Sequence, residues 1–119
     1  MRATPRDIIG AALLGAAAAI LLAVALPVRA QQASGAVAID NFTFSPQRLT
    51  IKAGTTVTWT NNDDIPHAIA ATNRLFKSKA LDTGDTYAFT FTTRGTYGYF
   101  CSLHPHMTGT IMVEAATSQ

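Results

Sequence analysis

The chain has 119 residues, of which 48% are hydrophobic and 13% are charged, and its formal net charge is +2 at pH 7. Its excess of positive charge lies in the first thirty residues, because six cations balance six anions over residues 31–119. This balance gives no ground for a nucleic-acid partner, and a single cysteine excludes a disulfide within the chain.

Residues 1–30 have the pattern of an export signal. Arg2 and Arg6 precede an uncharged run over residues 8–28, and the small residues around Ala30 are typical of a signal-peptidase site. The run is longer than the usual apolar core of about 7 to 15 residues and approaches the ~20 that span a bilayer. We predict a cleaved signal peptide, formed as an apolar leader helix, with an uncleaved membrane anchor as the alternative.

Beyond residue 35 the apolar residues alternate with polar ones at period two. Val57 and Trp59 alternate with threonines, as do Tyr87, Phe89 and Phe91 with smaller residues. Between turn signals we predict strands over residues 36–42, 49–52, 55–61, 67–71, 86–92, 96–101 and 108–114, with a further short one near Phe76. Seven or eight short strands predict an all-β fold over residues 31–119, in the form of a two-sheet antiparallel β-sandwich.

The segment Cys101-Ser102-Leu103-His104-Pro105-His106-Met107 gathers a thiol, imidazoles and a thioether within seven residues. His67, after the turn Asp64-Ile65-Pro66, supplies an imidazole from elsewhere in the chain. One cysteine, two histidines and a weak axial methionine are the donors of a blue-copper site. We therefore predict that His67, Cys101, His104 and Met107 bind one copper ion that alternates between Cu(I) and Cu(II).

Two other interpretations of this segment stay open. Zinc accepts the same donors, since affinity alone does not exclude it. A lone cysteine is also often a small buried hydrophobic residue with no ligand role. In an oxidising compartment outside the cytoplasm, however, a single thiol must be paired or held by something, and copper would hold it.

At these residues the chain resembles the cupredoxins, and its short Cys-x-x-His-x-x-Met loop is most similar to that of the amicyanins. The resemblance covers residues 36–114 through the motifs Phe44-x-Pro46, Leu49-Thr50-Ile51-Lys52-Ala53-Gly54, Val57-Thr58-Trp59-Thr60-Asn61, Pro66-His67, Gly95-Thr96-Tyr97-x-Tyr99-x-Cys101 and Gly109-x-Ile111-x-Val113-Glu114.

The resemblance implies Greek-key topology, a type 1 copper site and a monomeric electron carrier of the periplasm. It implies transient docking near His104 with redox proteins, namely a dehydrogenase donor and a cytochrome-type acceptor. We expect an apolar rim around His104, formed by Pro66, Leu103, Pro105 and His106. Phe100 is interpreted as a second contact point, with an ordinary aromatic residue of the sheet surface as the alternative. Contact with a membrane is expected only if the leader remains uncleaved.

The chain departs from the family pattern at two positions. Ala68 stands where many cupredoxins have Asn, and we expect its backbone N–H to donate to the sulfur of Cys101. Leu103 stands where the amicyanin-like loop often has Pro, and it restores an N–H near the same sulfur. We expect the hydroxyl of Ser102 to link the ligand loops. His106 is interpreted as a solvated rim residue, with a copper-entry ligand as the alternative.

The predicted donor set also bears on the type of activity. Four protein donors leave no open position for a substrate, whereas catalytic metal sites generally keep one. We therefore predict that the protein is not an enzyme and has no catalytic residues. Asp63 and Asp64 are assigned to the turn before His67. The alternative function is a copper-binding module that delivers or sequesters copper without carrying electrons.

Overall fold

The computed structural model describes residues 34–116 and contains eight strands. These are β1 (Ser34–Asp40), β2 (Thr43–Ser45), β3 (Arg48–Lys52), β4 (Thr55–Asn61), β5 (Ala70–Ala71), β6 (Thr86–Phe91), β7 (Gly95–Cys101) and β8 (His104–Glu114). The predicted leader over residues 1–30 lies outside the described residues. Within residues 34–116 no helix has the length and hydrophobicity to cross a membrane.

The strands form two four-stranded sheets, in the orders β2-β1-β4-β6 and β3-β8-β7-β5. The predicted all-β fold with two sheets is confirmed. The pairing within the sheets is mixed, however, since β1 pairs with β4 and β3 pairs with β8 in parallel, in place of the wholly antiparallel arrangement expected. In each of these pairs the chain passes through the other sheet between the two strands. The two strands are therefore not joined by a hairpin, and no tight turn forces them to run antiparallel.

The first predicted strand ends two residues earlier than expected. Asn41 and Phe42 have φ angles of 52° and 58°, which lie in the left-handed region that ends an extended strand. The chain then turns back as β2, in which Phe44 pairs with Ile39 of β1. Neither this turn nor β2 was predicted from the sequence.

The predicted strand over residues 67–71 is reduced to the two residues of β5. The strand expected near Phe76 is a single bridge between Ala70 and Lys77. A serine side chain explains the interruption, because the hydroxyl of Ser78 accepts the N–H of Ile69 at 2.8 Å while the Ser78 N–H donates to the Ile69 carbonyl. A side-chain hydroxyl thereby takes one place in the backbone ladder.

The core lies between the sheets and is centred on Trp59. Val57 and Trp59 are fully buried and alternate with half-buried threonines, as predicted. The Trp59 ring contacts those of Phe91 and Tyr99 at centroid distances of 6.5 and 5.3 Å. Phe91 and Tyr99 are also buried, whereas Phe89 and Tyr97 pack against the core from partly exposed positions.

The packing of Tyr99 requires glycine at one position of β8. A Cβ atom on Gly109 would lie 2.4 Å from Cζ and from the hydroxyl oxygen of Tyr99, which is far inside van der Waals contact. Burial raises the pKa of Tyr99 to about 12. Tyr99 and Gly109 face each other in the β7–β8 pairing, so the aromatic core fixes the two strands that carry the predicted ligand loop.

Candidate metal centre

Cys101 and His104 face each other across the hairpin that joins β7 and β8. Ser102 and Leu103 form the two-residue turn, and Cys101 pairs with His104 in the register of the two strands. Strand β8 thus begins inside the predicted ligand loop, earlier than the residue 108 expected. The pairing holds the sulfur of Cys101 3.7 Å from Nδ1 of His104.

His67 reaches the same point from the segment between β4 and β5. Its backbone forms an isolated antiparallel bridge with Leu81, with N–H···O distances of 3.1 and 2.6 Å. The side chain is completely buried, and its Nδ1 lies 3.6 Å from the sulfur of Cys101. The donor atoms of His67, Cys101 and His104 all lie within 4.8 Å of one another.

These spacings fit a single transition-metal ion. With bonds of about 2.0 to 2.3 Å, as in zinc sites, three donors arranged trigonally around one ion are roughly 3.5 to 4 Å apart. The two sulfur-to-nitrogen distances, 3.6 and 3.7 Å, lie in this range. A thiolate and two imidazoles are also the equatorial donors that copper prefers.

Met107, the predicted axial ligand, lies in β8 and is 6% exposed. It belongs to the same buried apolar cluster as Cys101. Its position in the core is therefore compatible with the assigned role, which stays a prediction. His106, one residue earlier, is exposed and outside the donor cluster, as expected of a rim residue.

The backbone of Ala68 donates a hydrogen bond to the sulfur of Cys101 at 3.3 Å, which confirms one expectation. An N–H donor withdraws charge from a thiolate and so favours the lower oxidation state of a bound metal. Ser102 does not link the ligand loops as expected. It is exposed and lines a groove on the outer surface, and its hydroxyl makes no hydrogen bond to the His67 loop within residues 34–116.

Asp63 is the partner of the buried histidine. Its Oδ2 lies 2.8 Å from Nε2 of His67, and its carboxylate also accepts the N–H groups of Asn41 at 2.6 Å and Phe42 at 2.9 Å. These bonds, first of all that from Phe42, hold the pKa of Asp63 below its ordinary value of 3.8 in spite of some desolvation. The carboxylate places the proton on Nε2, which leaves Nδ1 of His67 free to bind a metal.

Asp63, assigned from the sequence only to the turn before His67, is also the hydrogen-bond partner of that histidine. The position of Asp63, four residues before His67, was the one feature of the sequence that indicated this contact. That spacing alone could not show which ring nitrogen would face the carboxylate.

Asn61 holds the turn that carries Asp63 and His67. It is completely buried, and its side-chain amide donates to the carbonyls of Ile65 at 2.8 Å and Leu81 at 2.9 Å. Its Oδ1 accepts the N–H of Asp63 at 2.9 Å. These bonds tie the turn before His67 to Leu81, whose backbone also pairs with that of His67.

Phe42 covers the two histidines from the solvent side. Its ring lies edge-on to the rings of His67 and His104 at centroid distances of 5.3 and 5.2 Å, and the two imidazoles are 5.0 Å apart. Phe42 is 50% exposed, and Leu103 is 49% exposed. The expected apolar rim around the partly exposed His104 therefore includes Phe42, which sequence reasoning had placed in a strand.

Residues 11–113 match the family model described as the cupredoxin-like domain. The amicyanin of Paracoccus versutus is 36% identical over 66% of this chain, which spans 63% of that protein's length. Amicyanin-alpha of Methylorubrum extorquens is 35% identical over 82% of this chain and 88% of its own.

Solved structures are also similar to this chain. A purple cupredoxin from Nitrosopumilus maritimus has a TM-score of 0.64 and 38% identity, and the match covers 67% of this chain and 99% of that one.

Proposed function

The chain belongs to the cupredoxin-like family, and we propose that it carries single electrons between redox proteins in the periplasm with one type 1 copper ion as its cofactor. The observation that supports this proposal is the clustering of one sulfur and two imidazole nitrogens, with sulfur-to-nitrogen distances of 3.6 and 3.7 Å. When bound in such a set, copper exchanges one electron between its Cu(I) and Cu(II) states.

The protein residues hold this donor set in place. We assign His67, Cys101 and His104 as the strong ligands and Met107 as the weak axial ligand. Cys101 and His104 are anchored by a two-residue hairpin, and His67 by its bridge to Leu81. Donors held by strands and buried hydrogen bonds change position little between oxidation states, and a small change in geometry favours rapid electron transfer.

Burial suggests where electrons enter and leave. His67 and Cys101 are completely buried, whereas His104 is partly exposed. The half-exposed ring of Phe42 lies edge-on to the His104 ring, and Leu103, the preceding residue, is also an exposed apolar side chain. A small apolar rim of this kind suits brief docking over a limited area, so we assign it as the contact surface for a dehydrogenase donor and a cytochrome-type acceptor.

The location is part of the same proposal. We infer that residues 1–30 direct export and are removed, which leaves residues 31–119 as a monomeric domain in the periplasm. The mass of the purified protein tests the cleavage, because retention of residues 1–30 would instead support an anchor over residues 8–28.

The visible spectrum and voltammogram of the copper-loaded protein test the function. An electron carrier is expected to show an intense thiolate-to-copper band and a reversible one-electron wave. The Cys101→Ser variant, nearly equal in size, should lose the band. Copper bound with no such band, or a site that is stable only as Cu(I) and gives no reversible wave, would contradict electron transfer and favour copper delivery or sequestration.

A further inference from the structure

Met112 is a methionine on the outer face of β8. Its neighbours in the strand, Ile111 and Val113, are buried in the core, and successive residues of a strand point to opposite faces. Met112 is partly exposed and pairs with Thr50 of β3 on one side and with Thr96 of β7 on the other, both of which are exposed. Its thioether therefore lies on a polar surface that solvent reaches, outside the apolar core.

The guanidinium group of Arg48 lies against this sulfur. Nη2 of Arg48 donates to Sδ of Met112 at 3.1 Å, across the parallel pairing of β3 with β8. A thioether is a weak acceptor, whereas arginine forms strong, charge-assisted hydrogen bonds with carboxylates. Within residues 34–116 Arg48 has no carboxylate partner, although Lys52 in the same strand is paired with Glu114. The charged donor is therefore bonded to a group that accepts only weakly.

Oxidation by hydrogen peroxide converts a thioether into a much stronger acceptor. A lone pair of the sulfur attacks one peroxide oxygen, and the O–O bond breaks. The sulfur loses two electrons and keeps that oxygen as a sulfoxide, while the second oxygen takes the electron pair of the broken bond and both protons and leaves as water. A sulfoxide oxygen carries partial negative charge. Arg48, which already bonds to the sulfur, is placed to donate to this oxygen.

Met107 is the other methionine beyond residue 30, and its surroundings are different. It is buried and belongs to the apolar cluster that includes Cys101. A sulfoxide there would place a polar oxygen among apolar side chains, which disrupts a core. At Met112 the same oxygen would lie in solvent beside a cation. The methionine that peroxide reaches more easily is therefore the one whose oxidised form the fold accommodates.

We propose that Met112 is a modification site at which hydrogen peroxide forms methionine sulfoxide, and that Arg48 is the residue that binds the sulfoxide oxygen. A methionine sulfoxide reductase returns such a residue to the thioether with two electrons from a thiol, so the site can act repeatedly. The inference is independent of the proposed electron-carrier function, because both residues lie on the outer surface and neither is assigned as a metal ligand.

Mass spectrometry of the metal-free full-length protein after treatment with hydrogen peroxide tests the site. Trypsin leaves residues 95–119 as one peptide, because no lysine or arginine follows Arg94. Fragmentation of that peptide assigns each added oxygen to Cys101, Met107 or Met112. We expect Met112 to gain one oxygen about tenfold faster than Met107, because susceptibility follows exposure. Equal rates at the two methionines would overturn the proposal.

Thermal unfolding tests the role of Arg48. In the unaltered protein the purified Met112 sulfoxide form should melt at the temperature of the thioether form or higher, whereas in Arg48→Gln the sulfoxide form should melt about 5 °C below the thioether form. Lys52→Gln removes an equal charge four positions later in the same strand and should behave as the unaltered protein does. A purely structural role of Arg48 would lower both forms equally. Such equal losses, or a lower melting temperature of the oxidised form in all three proteins, would overturn the assignment of Arg48.

Discussion

The carboxylate of Asp63 lies 2.8 Å from Nε2 of His67 and at the same time accepts the backbone N–H groups of Asn41 and Phe42. One side chain therefore orients a buried imidazole and fixes the left-handed turn that carries Phe42 over that imidazole. The hydrogen-bond partner of His67 and the ring that covers His67 therefore depend on the same carboxylate.

Replacement of Asp63 by alanine is expected to lower the free energy of unfolding of the metal-free protein by about 2 to 3 kcal/mol, since it leaves a buried imidazole N–H unpaired. In the copper-loaded protein the reduction potential should rise, because a carboxylate partner increases the basicity of a histidine ligand and so favours Cu(II). Denaturant unfolding and voltammetry measure the two effects. Asp64→Ala, at the exposed neighbouring position, is the control; equal losses in both variants would show that Asp63 acts only as a turn residue.

Protonation of Asp63 should lower the free energy of unfolding of the metal-free protein in acid. The pKa of Asp63 is lower in the folded protein than its ordinary 3.8, so its contribution is complete above that value and is lost as the pH falls through the lower, folded pKa. Unfolding free energies measured from pH 6 downward should therefore show a loss below about pH 4. The curve of Asp63→Asn should lack this component, and parallel curves for the two proteins would contradict the assignment.

Two glycines of the β7–β8 hairpin allow a matched test of the core. Gly109→Ala is expected to destabilise the protein by about 3 kcal/mol, because the added Cβ would lie 2.4 Å from the Tyr99 ring. Gly98→Ala should be nearly neutral, since the nearest atom, Oγ1 of Thr72, would be at an ordinary 3.5 Å. Thermal unfolding of both variants measures the difference, and similar melting temperatures would argue against a close Tyr99–Gly109 contact.

Met107→Leu tests the axial assignment. Leucine keeps the apolar volume but removes the thioether, so the intense thiolate-to-copper band should persist while the reduction potential rises through loss of a donor to Cu(II). Met112→Leu, at a position in the same strand outside the proposed site, should leave the potential unchanged. An unchanged potential in Met107→Leu would show that this sulfur does not act on the copper.

Phe42→Ala should expose the two histidine rings that Phe42 covers at 5.3 and 5.2 Å. The expected result is faster transfer of Cu(I) to a chelator, since the cover over the ligands is removed, with little change in the visible spectrum. Leu75→Ala removes an equally exposed apolar side chain elsewhere, 51% exposed, and serves as the control. Equal transfer rates in the two variants would exclude a covering role for Phe42.

The clustering of His67, Cys101 and His104 was predictable because it depends on the types of residue present. A cysteine and two histidines indicate a metal centre by their chemistry, and the structure brings the three together. The role of Met107 stays a prediction. The two sheets were predictable because the apolar residues recur with a period of two. Residue type and spacing can both be seen directly in the sequence.

The missed features depend on contacts between distant segments. The left-handed conformation of Asn41 and Phe42 is stabilised by Asp63, more than twenty residues away, and without it the segment has the composition of a continuing strand. The hydroxyl of Ser78 similarly replaces a backbone partner of Ile69. Local patterns indicate neither interaction.

The parallel pairing of β3 with β8 has a consequence for the order of events during folding. It joins residues 48–52 to residues 110–114, and the side chains of Lys52 and Glu114 meet across 62 positions. Chains dominated by such distant pairings have high contact order and fold in milliseconds to seconds, because a long loop must close first. We therefore expect the hairpin of Cys101 and His104 to become stably ordered only after residues 110–114 of β8 have paired with β3.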